Sequence, residues 1–341
     1  MPDEQAWFER LAARGLAPDG LLRLGVRLAL RRRLRMLERG DTRERMQQIR
    51  GGPVAVETDA ANRQHYEVPT EFFRLILGPR LKYSSAFWPS GDTTLAEAEV
   101  AMLELTARRA QVADGQRVLD LGSGWGAFSL WAAERFPSTS FTALSNSRTQ
   151  RDFIAARAAE LGLTNVHVVA GNAASLELPG PYDRIVSIEM LEHVRNHGPL
   201  LAQLVTALAP GGRLFVHVFS HRRHAYTFEP EDGRMARWFF SGGTMPNLRL
   251  FDECASAVRT VDRQVVNGRH YARTLRSWLR NLDRRREAVR GVFREVYGDG
   301  LADIWIARWR LFFIACEELF AYRGGREWVV AHHLLEPSER I

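Results

Sequence analysis

A short apolar segment, Arg117 to Leu121, ends directly on Gly122, Gly124 and Gly126 and then gives way to the helical pattern that begins at Ala127. Val118, Leu119 and Leu121 form too short a run for a buried helix and suit a strand. Glycines at alternate positions let the chain turn tightly and let a ligand approach the main chain without meeting a Cβ atom. Strand, glycine loop and helix in that order open a parallel sheet, and the chain that follows repeats the unit. Ser140 to Leu144, Val166 to Ala170, Arg184 to Ile188 and Arg213 to Phe219 read as strands with helical spacing between them. The expected fold is therefore α/β, with a doubly wound, mostly parallel sheet.

Other segments surround that core. Residues 6 to 50 read as helices with a break at Gly15 to Gly20, followed by the loop Gly51-Gly52-Pro53, and Leu95, Ala98, Met102 and Leu105 mark a helix that ends before Asp114-Gly115. After Phe219 the sequence becomes aromatic and irregular; a strand is expected near Val258 to Val266, helices at 274 to 294 and 300 to 322, and a last strand from Trp328 to Leu335. The expected organisation is a helical N-terminal cap over 1–94, a core over 95–265 completed by a final strand at 327–336, and substrate-binding insertions at 220–250 and 270–323.

With 341 residues, 45% of them apolar and 26% charged, the composition is that of a globular enzyme. The densest apolar stretch, Trp309 to Leu319, is interrupted by Arg310, Glu317 and Glu318, so no membrane span is expected. The first residues lack a basic region followed by an apolar one, and Cys254 and Cys316 are too few for a disulfide framework, so a cytoplasmic protein is expected. A net charge of +7 suggests nucleic acid or anionic lipid as a partner. Lys82 is the only lysine among 47 basic residues, however, which reads as codon bias rather than a nucleic-acid surface. The concentrated patch is Arg23, Arg27, Arg31, Arg35 and Arg39, beside Leu22, Val26, Leu30 and Leu34. That is an amphipathic helix with a basic face, read here as solvated, with peripheral contact to an anionic membrane as the alternative.

The loop by itself leaves its ligand open. With Ala127 it also satisfies the dinucleotide fingerprint. Yet Asp120 lies just before the glycines, where its carboxylate could meet a ligand ammonium group, and the next strand end carries Ser145-Asn146-Ser147-Arg148-Thr149-Gln150 in place of an acidic ribose ligand. Taken with its surroundings, the loop resembles the S-adenosylmethionine site of class I (Rossmann-like) methyltransferases. Tyr83-Ser84-Ser85-Ala86-Phe87-Trp88, Thr94-Leu95 with Glu97, and Glu189-Met190-Leu191-Glu192-His193 resemble the superfamily that includes cyclopropane fatty acid synthases. Asn267 to Ala272, Trp309 to Phe313 and Glu327 to His332 extend the likeness toward alkaloid N-methyltransferases of the coclaurine type. The resemblance implies S-adenosyl-L-methionine as cofactor, a small-molecule amine as substrate, and no metal. Tyr83 and Ser84 would lie near the methionine carboxylate, Gly122, Gly124 and Gly126 along the cofactor, Asn146 and Gln150 at ribose and adenine, and Asn172 and Ala173 after the third strand, where relatives usually carry Asp or Trp-Glu. A homodimer is compatible with this picture, although the sequence does not count subunits.

Methyl transfer from a sulfonium is an in-line displacement that needs an unprotonated nucleophile, whereas an amine at neutral pH is mostly protonated. Glu189, Glu192 and His193 follow a strand end at spacings that would place all three on one helical face at the carboxyl edge of the sheet. Two close carboxylates raise one another's proton affinity and a histidine titrates near neutrality, so the group can accept a proton and hold a cation. These three are the expected catalytic residues, and in the alkaloid N-methyltransferases the equivalent Glu and His are the proposed pair. Cyclopropane synthases instead hold bicarbonate through groups that match Ser85, Glu192, His217 and Tyr271, with cysteine in place of Ser85. Ser85, His217, Phe240, Tyr271 and Trp309 are the expected lining of the substrate pocket. The preferred function is N-methylation of a small aromatic amine; the alternatives are a cyclopropane or methyl-branched fatty acid synthase and a non-catalytic scaffold.

Overall fold

The computed structural model describes residues 18–52, 68–171, 178, 180–229 and 242–338. Its main sheet is built from β1 (Arg117–Leu121), β2 (Ser140–Ser145), β3 (Val166–Ala170), β4 (Tyr182–Ile188), β5 (Leu208–His221), β8 (Val258–Val266) and β9 (Trp328–Pro337). A small ribbon pairs β6 (Tyr226–Thr227) with β7 (Thr244–Met245). The order across the main sheet is β3-β2-β1-β4-β5-β9-β8. β1 to β5 pair in parallel, and β9 runs antiparallel to both of its neighbours. Crossing over at β1 and β4 opens a crevice at their carboxyl ends, the place where open α/β sheets bind ligands.

Eleven helices are described: α1 (Asp19–Arg39), α2 (Thr42–Gly51), α3 (Thr70–Ile76), α4 (Leu95–Arg109), α5 (Ala127–Arg135), α6 (Arg148–Glu160), α7 (His197–Thr206), α8 (Leu250–Cys254), α9 (Gly268–Arg284), α10 (Arg286–Tyr297) and α11 (Asp299–Ala321). The start of α4 is fixed locally: Thr94 caps the Glu97 amide while the Glu97 carboxylate reaches back to the Thr94 amide. Successive strand residues face opposite ways. Val118, Phe141, Val186 and Phe215 pack with Leu103 and Trp131 on one face, and Leu119, Leu144, Ile185 and Leu214 pack with Leu200 and Leu204 on the other. Both faces are covered, so these strands read as continuous apolar runs.

A further cluster joins α3, α9, α10 and α11 around Phe72, Trp278, Phe293 and Trp309. The single helix expected over 274 to 294 is two, since the chain breaks at Arg285 between α9 and α10. The arginine stripe on α1 is also divided. Arg23 donates to Glu317 and Glu318, and Arg27 donates to Glu318, tying α1 to α11; Arg31, Arg35 and Arg39 are exposed. Among the described residues no helix is long and apolar enough to cross a membrane.

Candidate active site

The crevice above β1 and β4 is lined on one side by Asp120, Gly122, Ser123, Gly124 and Trp125, and on the other by Lys82, Tyr83, Ser84, Glu189, Glu192 and His193. The loop holds its shape through the Gly122 and Ser123 amides, which both donate to the Leu144 carbonyl. Gly122 has φ +78°, and a Cβ there would lie 2.6 Å from Cγ of Met190. Gly124 has φ +54° but open space around its absent Cβ, so its hydrogen leaves room in the crevice that a side chain would fill. Gly126, at φ +74°, precedes α5 and lies behind the loop.

Three buried polar groups on this side suit a ligand with an amino-acid tail and a nucleoside. Burial pushes the Asp120 carboxyl up to about 6, while the Ser129 hydroxyl donates to it at 2.6 Å. The Gln150 carbonyl oxygen accepts from Ser145, leaving its amide N–H groups for another partner. The Trp125 indole N–H is buried without a partner among the described residues. Asp120 would hold the cofactor's ammonium group, and Gln150 and Trp125 would donate along its length.

Facing the loop is a compact cluster of acids. Glu189 has φ +48°, a conformation stabilised by donation from its amide to the His217 carbonyl, and this turns its side chain back into the fold. Its Oε1 accepts from the Ser85 amide at 2.8 Å and from His217 Nε2 at 3.1 Å, and its Oε2 accepts from the Tyr271 hydroxyl at 2.6 Å. Burial raises the proton affinity of Glu189, opposed by the Lys82 ammonium and these donors. Lys82 itself is fully buried, with Nζ donating to Ser84 Oγ at 2.5 Å and to the Ser85 carbonyl at 2.7 Å, and burial lowers it to about 8. Glu192 and His193 sit on a 3-10 turn, Leu191–His193. Glu192 Oε1 accepts from the Phe219 amide at 2.8 Å, whereas Oε2 is buried without a partner among the described residues. Burial, reinforced by the neighbouring Glu189 charge, pushes the Glu192 carboxyl well above the ordinary carboxylate range.

Of the residues singled out in the sequence, Tyr83, Ser84, Asp120, Gly122, Gly124, Gln150, Glu189, Glu192, His193 and Tyr271 converge on this crevice. The shared helical face expected for Glu189, Glu192 and His193 is not present, because the left-handed backbone at Glu189 precedes a 3-10 turn. Three of the expected pocket residues lie behind the lining. Ser85 is fully buried with its hydroxyl on the Ala86 carbonyl, so its amide meets Glu189 while its side chain does not. His217 backs Glu189 from within the sheet. Trp309 is wholly enclosed by Phe72, Phe73, Phe312 and Phe313; the neighbouring Phe312 and Trp278 reach the crevice instead. Asn146 is exposed just past β2 and does not line the crevice, and Asn172, Ala173 and Phe240 lie outside the described residues. The sequence reading overlooked Lys82 and Trp278. Their signals were a lone lysine beside the Tyr83-Ser84 motif, and Tyr271, Leu275, Trp278 and Leu282 at helical spacing on α9.

The chain is similar in sequence and fold to proteins of known activity. Residues 55–326 match the family model described as mycolic acid cyclopropane synthetase. The (S)-coclaurine N-methyltransferase of Thalictrum flavum subsp. glaucum is 34% identical over 335 residues, covering 94% of this chain and 93% of that protein. Cyclopropane mycolic acid synthase 1 of Mycobacterium tuberculosis is 29% identical over 271 residues, covering 75% of this chain and 90% of its own. A crystal structure of coclaurine N-methyltransferase bound to N-methylheliamine and SAH superposes with a TM-score of 0.92 at 31% identity, covering 98% of this chain and 99% of that one. The fold, the glycine crevice and these likenesses lead to one assignment: the chain belongs to the mycolic acid cyclopropane synthetase family and is an S-adenosylmethionine-dependent methyltransferase.

Proposed function

We propose that the acceptor is a small aromatic amine, of the benzylisoquinoline type, and that the enzyme is an N-methyltransferase. One observation carries this reading: the crevice combines the carboxyl groups of Glu189 and Glu192 with the rings of Tyr83, Trp125, Tyr271, Trp278 and Phe312. Carboxylates beside aromatic faces favour a cationic amine and the positive charge that grows on its nitrogen during transfer. The near full-length relatives named as coclaurine N-methyltransferases support the same substrate class.

When bound, S-adenosylmethionine supplies an electrophilic methyl group on a sulfonium. The chain provides the rest. Glu192, whose Oε2 has no partner among the described residues, accepts the proton of the incoming ammonium and so exposes the nitrogen lone pair. Glu189 remains the countercharge, His193 lies beside both carboxyl groups on the crevice wall, and α9 and α11 shield the site from water through Trp278 and Phe312. The ring of donors formed by the Ser85 amide, His217 and Tyr271 is already filled by the Glu189 carboxylate. In the cyclopropane synthases the resemblance assigns matching groups to bicarbonate, so this carboxylate favours amine over olefin chemistry. We place the enzyme in the cytoplasm, acting on a free small molecule, in keeping with the unpaired Cys254 and Cys316.

The test supplies methyl-labelled S-adenosylmethionine together with secondary and tertiary aromatic amines, and in parallel with unsaturated phospholipid vesicles. Label on an amine is the expected result. Label only in lipid would make the chain a cyclopropane or methyl-branched fatty acid synthase, and label that stays on the cofactor in both arms would leave a non-catalytic scaffold.

A further inference from the structure

Behind Glu189 a line of hydrogen bonds runs through two histidines to an arginine. His217 and His332 face each other across the β5–β9 ladder, so strand register alone brings the rings together. His217 Nε2 lies 3.1 Å from Glu189 Oε1, His332 Nε2 lies 3.0 Å from His217 Nδ1, and Arg109 Nη1, at the end of α4, lies 2.8 Å from His332 Nδ1. A guanidinium carries only donors. His332 Nδ1 must therefore accept, which puts its single proton on Nε2; His217 Nδ1 must accept in turn, which puts its proton on Nε2, aimed at Glu189. Every bond in the line has one permitted direction, set by the arginine at the far end.

We propose that Arg109 and His332 are positioning residues for methyl transfer: they lock His217 as a donor, hold Glu189 as an ionised carboxylate, and confine the exchangeable proton of the site to Glu192. Glu189 Oε1 accepts from both the Ser85 amide and His217, and Oε2 accepts from the Tyr271 hydroxyl, so three donors converge on this carboxylate and favour its charged form. Glu192 Oε2, by contrast, is buried and unpaired among the described residues. Burial keeps both imidazoles neutral, pushing each well below the ordinary histidine range, with Lys82 and Arg109 acting in the same direction. The other ionisable groups acting on this set are Lys82, His193, Tyr271 and Cys316 around Glu189, His333 beside His332, and Arg108 and Asp262 beside Arg109. The role assigned to Glu192 rests on the N-methyltransferase reading, whereas the direction of the bonds does not.

Nitrogen NMR of protein labelled at histidine, with His217 and His332 assigned through single glutamine substitutions, reads the tautomers directly. At neutral pH both rings are expected to be neutral and protonated at Nε2. Arg109→Met is expected to populate the Nδ1-protonated form of His332 and to lower kcat/KM for the amine about tenfold, the loss of one hydrogen bond to a charged group. Its affinity for S-adenosylhomocysteine should stay within about twofold, because no cofactor contact is lost. Arg109→Lys keeps a donor and should keep the wild-type tautomers, and Arg108→Met, on the exposed neighbour, should change neither readout. Nδ1 protonation of His332 in the wild type would overturn the proposal, as would wild-type tautomers and kinetics in Arg109→Met. If Arg109→Met fails to fold, the wild-type spectrum still decides. Correct tautomers without methylation of any amine would sink the substrate reading and leave the direction of the bonds intact.

Discussion

Gly122, Gly124 and Gly126 act within a single strand, loop and helix, whereas the carboxylate of Glu189 is held by Ser85, His217 and Tyr271 from three distant parts of the chain. The glycine loop is made of backbone conformation and empty space; the Glu189 cluster is made of side chains that meet only after the sheet and α9 have assembled. Substitutions in the two halves should therefore fail differently, one in cofactor binding and the other in turnover.

The largest separation is expected between Gly124→Val and Glu192→Gln. Valine at a position with φ +54° is strained and fills space left open to the crevice, so calorimetry should find S-adenosylhomocysteine binding abolished. Glu192→Gln should lower kcat about 10³-fold, the range of a lost general base, with S-adenosylhomocysteine affinity nearly unchanged. Equal loss of cofactor binding in both variants would erase the distinction between the halves.

Next comes the pH dependence of kcat/KM. The Glu192 carboxyl is raised by burial and by Glu189, so it keeps its proton to higher pH, and the carboxylate that serves as base appears only above the ordinary carboxyl range. Activity should rise with pH along a limb displaced upward from the usual glutamate value, and that limb should be missing in the residual activity of Glu192→Gln. A limb at the ordinary glutamate value would show that neither burial nor the Glu189 charge raises this carboxyl.

Smaller effects sharpen the acceptor half. Tyr271→Phe removes a 2.6 Å donor to Glu189 and should cost about tenfold in kcat. Ser85→Ala should change kcat less than about twofold, since its contact with Glu189 comes from the amide that alanine retains. A large effect at Ser85 would mean that its hydroxyl, which lies on the Ala86 carbonyl, acts in the reaction after all.

The same contrast explains what could be read in advance. The alternation of strands and helices and the glycine loop were visible because each is a local pattern whose physics is complete within a few residues. Trp309 was misplaced because helical spacing on α11 shows that a ring is buried but does not tell core from crevice; Phe312, three residues later, takes the pocket position. Glu189 was expected on a helical face with its neighbours, and nothing in its own sequence announces the left-handed turn that aims it at Tyr271. The pairing of His217 with His332 follows from the register of β5 and β9, strands separated by more than a hundred residues.

By itself the sequence determined the class of fold and the cofactor crevice, since propensity, periodicity and glycine stereochemistry act between chain neighbours. Tertiary structure decided which buried acid is ionised and which way each histidine points. Those states depend on desolvation and on a donor such as Arg109 arriving from another element, and no local pattern records them.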